Sequence, residues 1–286
     1  MYTKFNLGRD SVPIRKSSVV AVLLVLFTFA GMSAATTYTA ANVKGSYSIL
    51  VNAYGGGASV GEGAAVGILN FDGVSAVTGY ATSINNGSLN VQTISSATYT
   101  VSANGHGSVT ATFTNSNGNA PGTWQIAFVL NSVSASVAHS LQAILINTGS
   151  GDTAVWAISA ASTNLTTAAT AARLKGTYSA LLNWWATGTQ QEEVGTFVFD
   201  GKSKVTSSFT FQVAEGTATT ITGTGTYSVN SDGSGSMSLT LSNSATVDFD
   251  FVMNSATGTA VAKGIQLLEV DNPSSTSVAT GNAVYE

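Results

Sequence analysis

The stretch VKGSYSILVNAYGGG at Val43–Gly57 returns 131 residues later as LKGTYSALLNWWATG at Leu174–Gly188. Further pairs of segments follow in the same order, 123 to 129 residues apart: NFDG at Asn70 with VFDG at Val198, ATYTVSANGHGS at Ala97 with GTYSVNSDGSGS at Gly225, FVLNS at Phe128 with FVMNS at Phe251, LQAILIN at Leu141 with IQLLEVD at Ile265, and AVW at Ala154 with AVY at Ala283. A preserved order at nearly constant spacing is typical of a tandem duplication with small loop insertions. The sequence therefore predicts two copies of one domain.

Within each copy, apolar and polar residues alternate. In TVDFDFVM, Val247, Phe249, Phe251 and Met253 share one face of a strand, and the residues between them share the other. This period of two is the pattern of a half-buried strand, and Asp-Gly turns separate the runs. The second copy is predicted to hold eight strands: Lys175–Ala186, Glu193–Phe199, Lys204–Ala214, Thr217–Asn230, Gly235–Asn243, Thr246–Asn254, Ala260–Asp271 and Thr280–Glu286.

Eight sequential strands with short connections favour an antiparallel up-and-down β-barrel, since closing the sheet removes exposed strand edges. The predicted fold class is all-β, with two tandem barrels of about eight strands each. A β-sandwich is the alternative, because alternation alone does not separate the two. The predicted organisation is a signal peptide at 1–35, a first barrel at 36–160, an Ala- and Thr-rich linker at 161–173 and a second barrel at 174–286.

Composition and charge narrow the class of protein. A basic stretch, a short apolar run at Val19–Phe29 and small residues ending at Ala35 predict a cleaved secretory signal. Without it, the chain keeps six basic and thirteen acidic residues, a net charge of −7. Nucleic-acid binding is disfavoured, since it needs basic patches. The chain has no cysteine, which excludes disulfides, a thiol nucleophile and cysteine metal sites.

Each copy opens with Gly-x-aromatic, in KGSYS and KGTYS. This resembles the Gly-x-Trp start of lipocalin- and avidin-type barrels (calycin-type), with Tyr47 and Tyr178 in place of Trp. The wider pattern of a G-T-Y opening, an F-x-x-D-G turn and a G-T-Y-S-V…D-G-x-G segment is similar to uncharacterised secreted β-repeat proteins of soil bacteria. That resemblance covers most of the chain after the signal. It implies fold and export only, because the group has no established activity.

The candidate ligand-binding residues are of two kinds. Some are tryptophans, and the others are small residues of the first copy at positions where the second copy has large ones. Trp124 and Trp156 lie on predicted strands of the first copy; Trp184 and Trp185 are adjacent in the second, so one should point inward and the other outward. The second copy also has Phe209 and Phe211 where the first has Ala81 and Ser83. The first barrel is therefore expected to be hollower, which is the main indication of a ligand cavity.

Polar candidates for catalysis or metal binding are few. Asp248 and Asp250 lie on one face of a strand, roughly 7 Å apart. Two carboxylates on one face could form a metal or acid–base site, but a solvated outer face of the sheet explains them better. Glu192 and Glu193 are expected to point to opposite sides and to be solvated near a loop. The two histidines, His106 and His139, lack the companions of a zinc site or a Ser-His-Asp triad.

These patterns predict a secreted, non-enzymatic binding module without a metal or cofactor. Its partner is expected to be a small apolar ligand, or a surface glycan or protein that contacts the loops at a barrel mouth. A structural or surface-interaction protein of the cell envelope is the alternative. An outer-membrane barrel of about sixteen strands is a second alternative, although the chain lacks clear aromatic girdles. The chain after the signal is expected not to span a membrane.

Overall fold

The structure is a computed structural model that describes residues 37–54, 63–85, 88–116, 122–134, 136–147, 155–186, 189–211, 218–256, 260–271 and 277–286. The predicted signal peptide at 1–35 lies outside the described residues. Residues from Tyr38 onward form one compact unit. No helix in the described ranges is long and apolar enough to cross a membrane.

The described residues form sixteen β-strands and two 3-10 turns. The strands of the first copy are β1 (Gly45–Tyr54), β2 (Gly63–Phe71), β3 (Val77–Asn85), β4 (Ser88–Val101), β5 (His106–Asn115), β6 (Gly122–Ser134), β7 (Val137–Asn147) and β8 (Val155–Ser162). Those of the second copy are β9 (Lys175–Ala186), β10 (Thr189–Asp200), β11 (Lys204–Phe211), β12 (Thr219–Val229), β13 (Ser234–Leu241), β14 (Thr246–Asn254), β15 (Gly264–Glu269) and β16 (Ser277–Tyr285). The 3-10 turns are Ala40–Val43 and Ala171–Arg173.

Each set of eight strands closes on itself. Sequential strands pair antiparallel throughout, β1 pairs with β8, and β9 pairs with β16. The prediction of two tandem up-and-down barrels is confirmed, and the sandwich alternative is wrong. The strands also do not form one sixteen-stranded sheet.

Strand register confirms the predicted faces and corrects two details of the sequence interpretation. Phe249 and Phe251 point into the second barrel and are buried. Glu192 and Glu193 lie within β10, which begins four residues earlier than predicted, and not beside a loop. The match of AVW with AVY is wrong: Tyr47 pairs with Ser162, whereas its counterpart Tyr178 pairs with Tyr285.

One end of each barrel, here called the sealed end, is closed by its 3-10 turn and a cluster of three aromatic rings. In the first barrel the cluster is Tyr47, Phe71 and Tyr99, with ring centroids 5.5 and 5.0 Å apart. The buried hydroxyl of Tyr47 donates to the carbonyl of Ala138 at 2.7 Å, and that of Tyr99 donates to Ala40 in the 3-10 turn at 3.1 Å. Burial raises the pKa of Tyr47 well above its ordinary value.

The second barrel repeats this arrangement. Tyr178, Phe199 and Tyr227 stack edge to face at 5.4 and 5.0 Å. Tyr178 donates to the carbonyl of Ala262 at 2.9 Å, and Tyr227 donates to that of Leu174 at 3.0 Å. Because a buried hydroxyl needs a partner, the bonds of Tyr99 to Ala40 and of Tyr227 to Ala171 at 3.1 Å fix each 3-10 turn over its barrel.

The same Asp-Gly turn also recurs at both sealed ends. Asp200 Oδ1 accepts three backbone N–H groups at 2.7, 2.9 and 3.0 Å, and Asp72 does the same at the same three distances. Gly73 and Gly201 have φ of 84° and 78°, where a side chain would be strained. The backbone hydrogen bonds lower the pKa of both carboxyls.

The two barrels contact each other through the outer faces of their sheets. Val66 and Ile68 of β2 point away from the first barrel and pack with Val252 of β14 and Leu268 of β15, which point away from the second. Each of these four side chains is at most 2% exposed. An outward side chain can be this buried only because the other barrel covers it.

Hydrogen bonds surround this apolar contact. Tyr80 donates to Asp232 Oδ2 at 2.8 Å, and Thr280 donates to the Asn52 side chain at 2.7 Å. Burial raises the pKa of Asp232, but hydrogen bonds from Ser234 and Tyr80 outweigh it and lower that pKa overall. The barrels are therefore held by a specific, partly polar contact as well as by the linker.

Candidate functional site at the distal ends of the barrels

The end of each barrel opposite its 3-10 turn is here called the distal end. Strands β1, β3, β5 and β7 end there, and β2, β4, β6 and β8 begin there; the second barrel follows the same order. The sealed ends of the two copies share the same three rings, to which the second barrel adds Tyr285 at 5.4 Å from Tyr178. The distal ends carry different side chains. The candidate ligand-binding residues all lie toward this end.

In the first barrel, two of the predicted tryptophans meet at the distal end. Trp124 lies near the start of β6 and Trp156 near the start of β8, and their ring centroids are 5.9 Å apart. Phe113 of β5 extends the cluster, 4.7 Å from Trp124. Trp156 is buried and Trp124 is partly buried against the core. The structure thus brings together residues that are 32 positions apart in the sequence.

Below these rings the first barrel contains an apolar cavity of about 40 Å³. Its walls include Ala81, Val109, Phe128 and Trp124. Ser83 is buried but is absent from these walls; its hydroxyl donates to the carbonyl of Asn90 at 3.3 Å. A cavity of this size has room for one water-sized group, since a water occupies about 30 Å³ in the liquid.

Two amide side chains give the distal end of this barrel its polarity. Gln92 of β4 lines the cavity, and Asn115 of β5 is paired with it directly across the strands. The side-chain oxygens of both residues are buried and accept no hydrogen bond from the described part of the chain. Burying an acceptor without a donor is unfavourable by about 1–3 kcal/mol, so these two oxygens favour a bound donor. Sequence reasoning missed both residues, although a Gln at an inward position of an alternating strand was a visible signal.

The origin of the cavity is clear from the strand register. Ala81 pairs with Gln92 in the first barrel, and the equivalent pair in the second barrel is Phe209 with Ile221. The ring of Phe209 packs on Phe197 with centroids 4.9 Å apart and fills the space. At this cross-strand position the second barrel therefore has two large apolar residues, whereas the first has a small residue, Ala81, opposite a polar one, Gln92.

Both barrels have a tryptophan at the same position in the pairing of the first and last strands, but on opposite strands of that pair. Trp156 pairs with Ala53 in the first barrel, whereas Trp184 pairs with Ala279 in the second. Each barrel therefore has one Trp and one Ala at this closing pair, on opposite strands. Trp184 packs against the core of the second barrel, and its buried indole N–H has no acceptor among the residues that the structure describes. Trp185 lies in β9, but its side chain is outside the described residues.

The distal end of the second barrel is acidic. Glu269 follows Ile265 and Leu267 on the inward face of β15 and is only 8% exposed. Burial, then a hydrogen bond with Asp271, then the charges of Asp271 and Glu193 raise the pKa of Glu269 to about 9. Burial also raises the pKa of Glu193. Sequence reasoning did not single out Glu269, because its burial follows from closure of the sheet around β15.

The remaining polar candidates are Asp248, Asp250, His106 and His139. Asp248 and Asp250 lie half-buried on the outer face of β14, where they line a surface groove of about 470 Å³ together with serine, threonine and apolar residues. Burial raises the pKa of Asp250, and a hydrogen bond from Thr82 of the first barrel partly offsets this. His106 begins β5, and His139 is hydrogen-bonded to Ser134. Among the described residues, no three acidic or histidine side chains are grouped to hold a metal ion.

Neither a protein-family model nor a curated protein matches this chain. The geometry of the distal ends is therefore the basis for assigning a function.

Proposed function

We propose that this protein is an exported, non-catalytic binding protein whose first barrel takes a small, largely apolar ligand at its distal end. The observation that carries the proposal is the pair Ala81–Gln92, which stands where the second barrel has Phe209–Ile221. That replacement opens a space in one copy of a duplicated fold and places an unpaired acceptor in its wall.

The walls specify the chemistry of the ligand. Apolar side chains surround the cavity, so burying an apolar group there is favourable by about 0.8 kcal/mol per CH₂. The free oxygens of Gln92 and Asn115 need a donor, which an alcohol, amine or amide group supplies. A net charge of −7 after the predicted signal disfavours anionic ligands. A neutral or cationic molecule with a narrow apolar body and one hydrogen-bond donor fits these conditions.

The size of the cavity limits how such a ligand binds. About 40 Å³ holds one small group, whereas pockets for drug-sized ligands occupy about 300–1,000 Å³. The donor group therefore enters beside Gln92, and the rest of the ligand lies against Trp124 at the distal end. The indole of Trp124 then reports binding through its fluorescence, since the ligand changes its surroundings.

A first experiment asks whether the protein carries a ligand. Native mass spectrometry is applied to the mature protein purified gently from its own host. The expected result is an extra mass that disappears on denaturation and gives the size class of the ligand. A bare polypeptide mass argues against a tightly held ligand and moves the question to added probes.

A second experiment uses a matched pair of probes, 1-hexanol and its isomer 1-methoxypentane, which lacks the donor. The alcohol is expected to bind about 5- to 150-fold more tightly, because an unmade buried hydrogen bond is unfavourable by about 1–3 kcal/mol. Gln92→Ile, which copies the second barrel, should abolish the preference, and Ala81→Phe should abolish binding of both probes. Equal affinities in the unmodified protein, or unchanged binding by Ala81→Phe, would refute the proposed site.

A structural or surface-interaction role is the second candidate. The observation that favours it is apolar side chains left exposed on the outer faces of both barrels, among them Val194 at 62% and Ile146 at 56%. Exposed apolar residues of this kind are suited to packing against another protein molecule. The assembly is testable separately from ligand binding.

A further inference from the structure

The contact between the two barrels joins two different outer faces. Face A belongs to the first barrel and consists of Leu50, Ala64, Val66 and Ile68 on β1 and β2. Face B belongs to the second barrel and consists of Val252, Leu268 and Val270 on and after β14 and β15. The members of face A are at most 3% exposed, and Val252 and Leu268 are at most 2% exposed.

Because the chain is duplicated, each barrel has an equivalent of both faces. The equivalent of face A on the second barrel follows from the strand pairs: Leu50 pairs with Val66, and Leu181 pairs with Val194 in the same register. Leu181 is 47% exposed and Val194 is 62% exposed. The second barrel therefore carries the centre of a face A that no described segment of the chain covers.

The equivalent of face B lies on the first barrel. In the pairing of β6 with β7 and of β14 with β15, Val129 corresponds to Val252 and Ile144 corresponds to Leu268. Two positions on, Ile146 corresponds to Val270. Val129, Ile144 and Ile146 are 41%, 50% and 56% exposed, although their counterparts are buried or partly buried in the barrel contact. The first barrel therefore carries a free face B.

We propose that a second copy of this chain docks on these faces, with the free face A of one molecule covering the free face B of the next. The internal contact between the barrels is the template, so the same packing continues from molecule to molecule. Each molecule has one free face of each kind, and the contact is therefore heterologous. Such a contact builds a head-to-tail row, which ends as a ring if the rotation closes and as a filament if it does not.

The contact between molecules is weaker than the one within the chain, for two reasons. Ala64 and Ile68 of face A correspond to Glu192 and Thr196 in the second barrel, so the free face has fewer apolar side chains. The internal contact also benefits from the linker, since a short tether gives an effective concentration of about 1 mM. Assembly is therefore expected to depend on protein concentration. It does not rest on ligand binding.

The first test uses two variants that each destroy one face. Val194→Glu places a charge on the free face A, and Ile144→Glu places one on the free face B. Both side chains point into solvent in the single molecule, so both variants are expected to fold, which circular dichroism checks. Val74→Glu is the control, because Val74 is 72% exposed but lies in a turn outside both faces.

Sedimentation velocity is measured from about 1 µM to about 1 mM protein. The upper limit matches the effective concentration of about 1 mM that the linker gives to the internal contact. The unmodified protein and the control should form multimers that grow with concentration, and each face variant alone should stay monomeric. A mixture of the two variants should form one-to-one dimers and nothing larger, because one intact face A meets one intact face B. Multimers formed by one variant alone would show a self-complementary contact and overturn the proposal, as would a monomeric unmodified protein at about 1 mM.

The second test uses the absence of cysteine from the chain. Val194→Cys and Ile144→Cys are made in separate molecules, mixed and oxidised gently. A head-to-tail contact predicts a disulfide-linked heterodimer of the two variants in at least about tenfold excess over homodimers of either, by the pairing of unlike faces. Predominant homodimers, or equal linkage to a Val74→Cys control, would overturn it.

Discussion

Glu269 allows a quantitative test of how the distal end of the second barrel is built. Its pKa is raised to about 9 in the folded protein, from an ordinary value of 4.5. Between those two values the folded state keeps a proton that the unfolded state has lost. Stability is therefore fully present below pH 4.5 and is lost as the pH rises toward 9. One proton changes the free energy of unfolding by about 1.4 kcal/mol per pH unit, which amounts to about 2.7 kcal/mol between pH 5.5 and 7.5.

Glu269→Gln should remove this dependence. The amide is neutral at every pH and can still donate to Asp271, as the protonated carboxyl does. Urea denaturation at pH 5.5, 6.5 and 7.5 gives the free energy of unfolding for both proteins. The variant should gain about 2.7 kcal/mol on the unmodified protein over this range.

Glu192→Gln is the control for the substitution itself, because Glu192 is exposed on β10, which is not adjacent to β15. It should not reproduce the gain that Glu269→Gln shows. If the free energies of unfolding of Glu269→Gln and the unmodified protein change in parallel with pH, Glu269 is ionised in the folded state. The account of a protonated Glu269 hydrogen-bonded to Asp271 is then wrong.

Three further substitutions test the packing by denaturant or thermal unfolding. Phe209→Ala should lower the free energy of unfolding by about 3–5 kcal/mol, since it removes a ring that fills the second barrel; a loss below about 1 kcal/mol would show that the space was not filled. Tyr178→Phe should lower it by about 1–3 kcal/mol, because a buried carbonyl loses its donor, and an unchanged value would contradict that bond. Gly225→Ala should be strongly destabilising, since a Cβ there would lie 1.8 Å from the carbonyl oxygen of Ser238; Gly122→Ala, whose nearest neighbour is at 3.6 Å, should unfold like the unmodified protein.

The fold could be predicted because its signals are local. Alternation in Thr246–Met253 places Phe249 and Phe251 on one face whatever the rest of the chain does, and the strand Thr246–Asn254 was predicted with its observed bounds. The repeat supplied the number of barrels. The end of the repeat was placed wrongly because AVW at Ala154 was matched with the similar triplet AVY at Ala283. The strand register shows instead that Trp156 and Ala279 occupy equivalent positions in the two barrels.

The features that depend on contacts between strands or between barrels could not be predicted in the same way. Val66 and Val194 occupy equivalent places in similar strands, yet one is 2% and the other 62% exposed. Only the docking of the barrels distinguishes them. Glu269 likewise looks like an ordinary surface acid until the closed sheet places it among inward-facing side chains beside Asp271. Gln92 becomes notable only when β3 places Ala81 opposite it.

The two copies differ in a way that separates stability from function. Their sealed ends share three aromatic rings, two tyrosine hydroxyl bonds and an Asp-Gly turn with equal distances. Their distal ends share little: one holds two stacked tryptophans and two unpaired amides, and the other holds the buried carboxyl of Glu269. A barrel whose 3-10 turn and core are fixed at one end can change side chains at the other without losing closure, because the backbone ladder is complete around the sheet. The duplication therefore gives two distal ends of different chemistry on one framework, and substitutions that alter binding are expected there, whereas those at the sealed end alter stability.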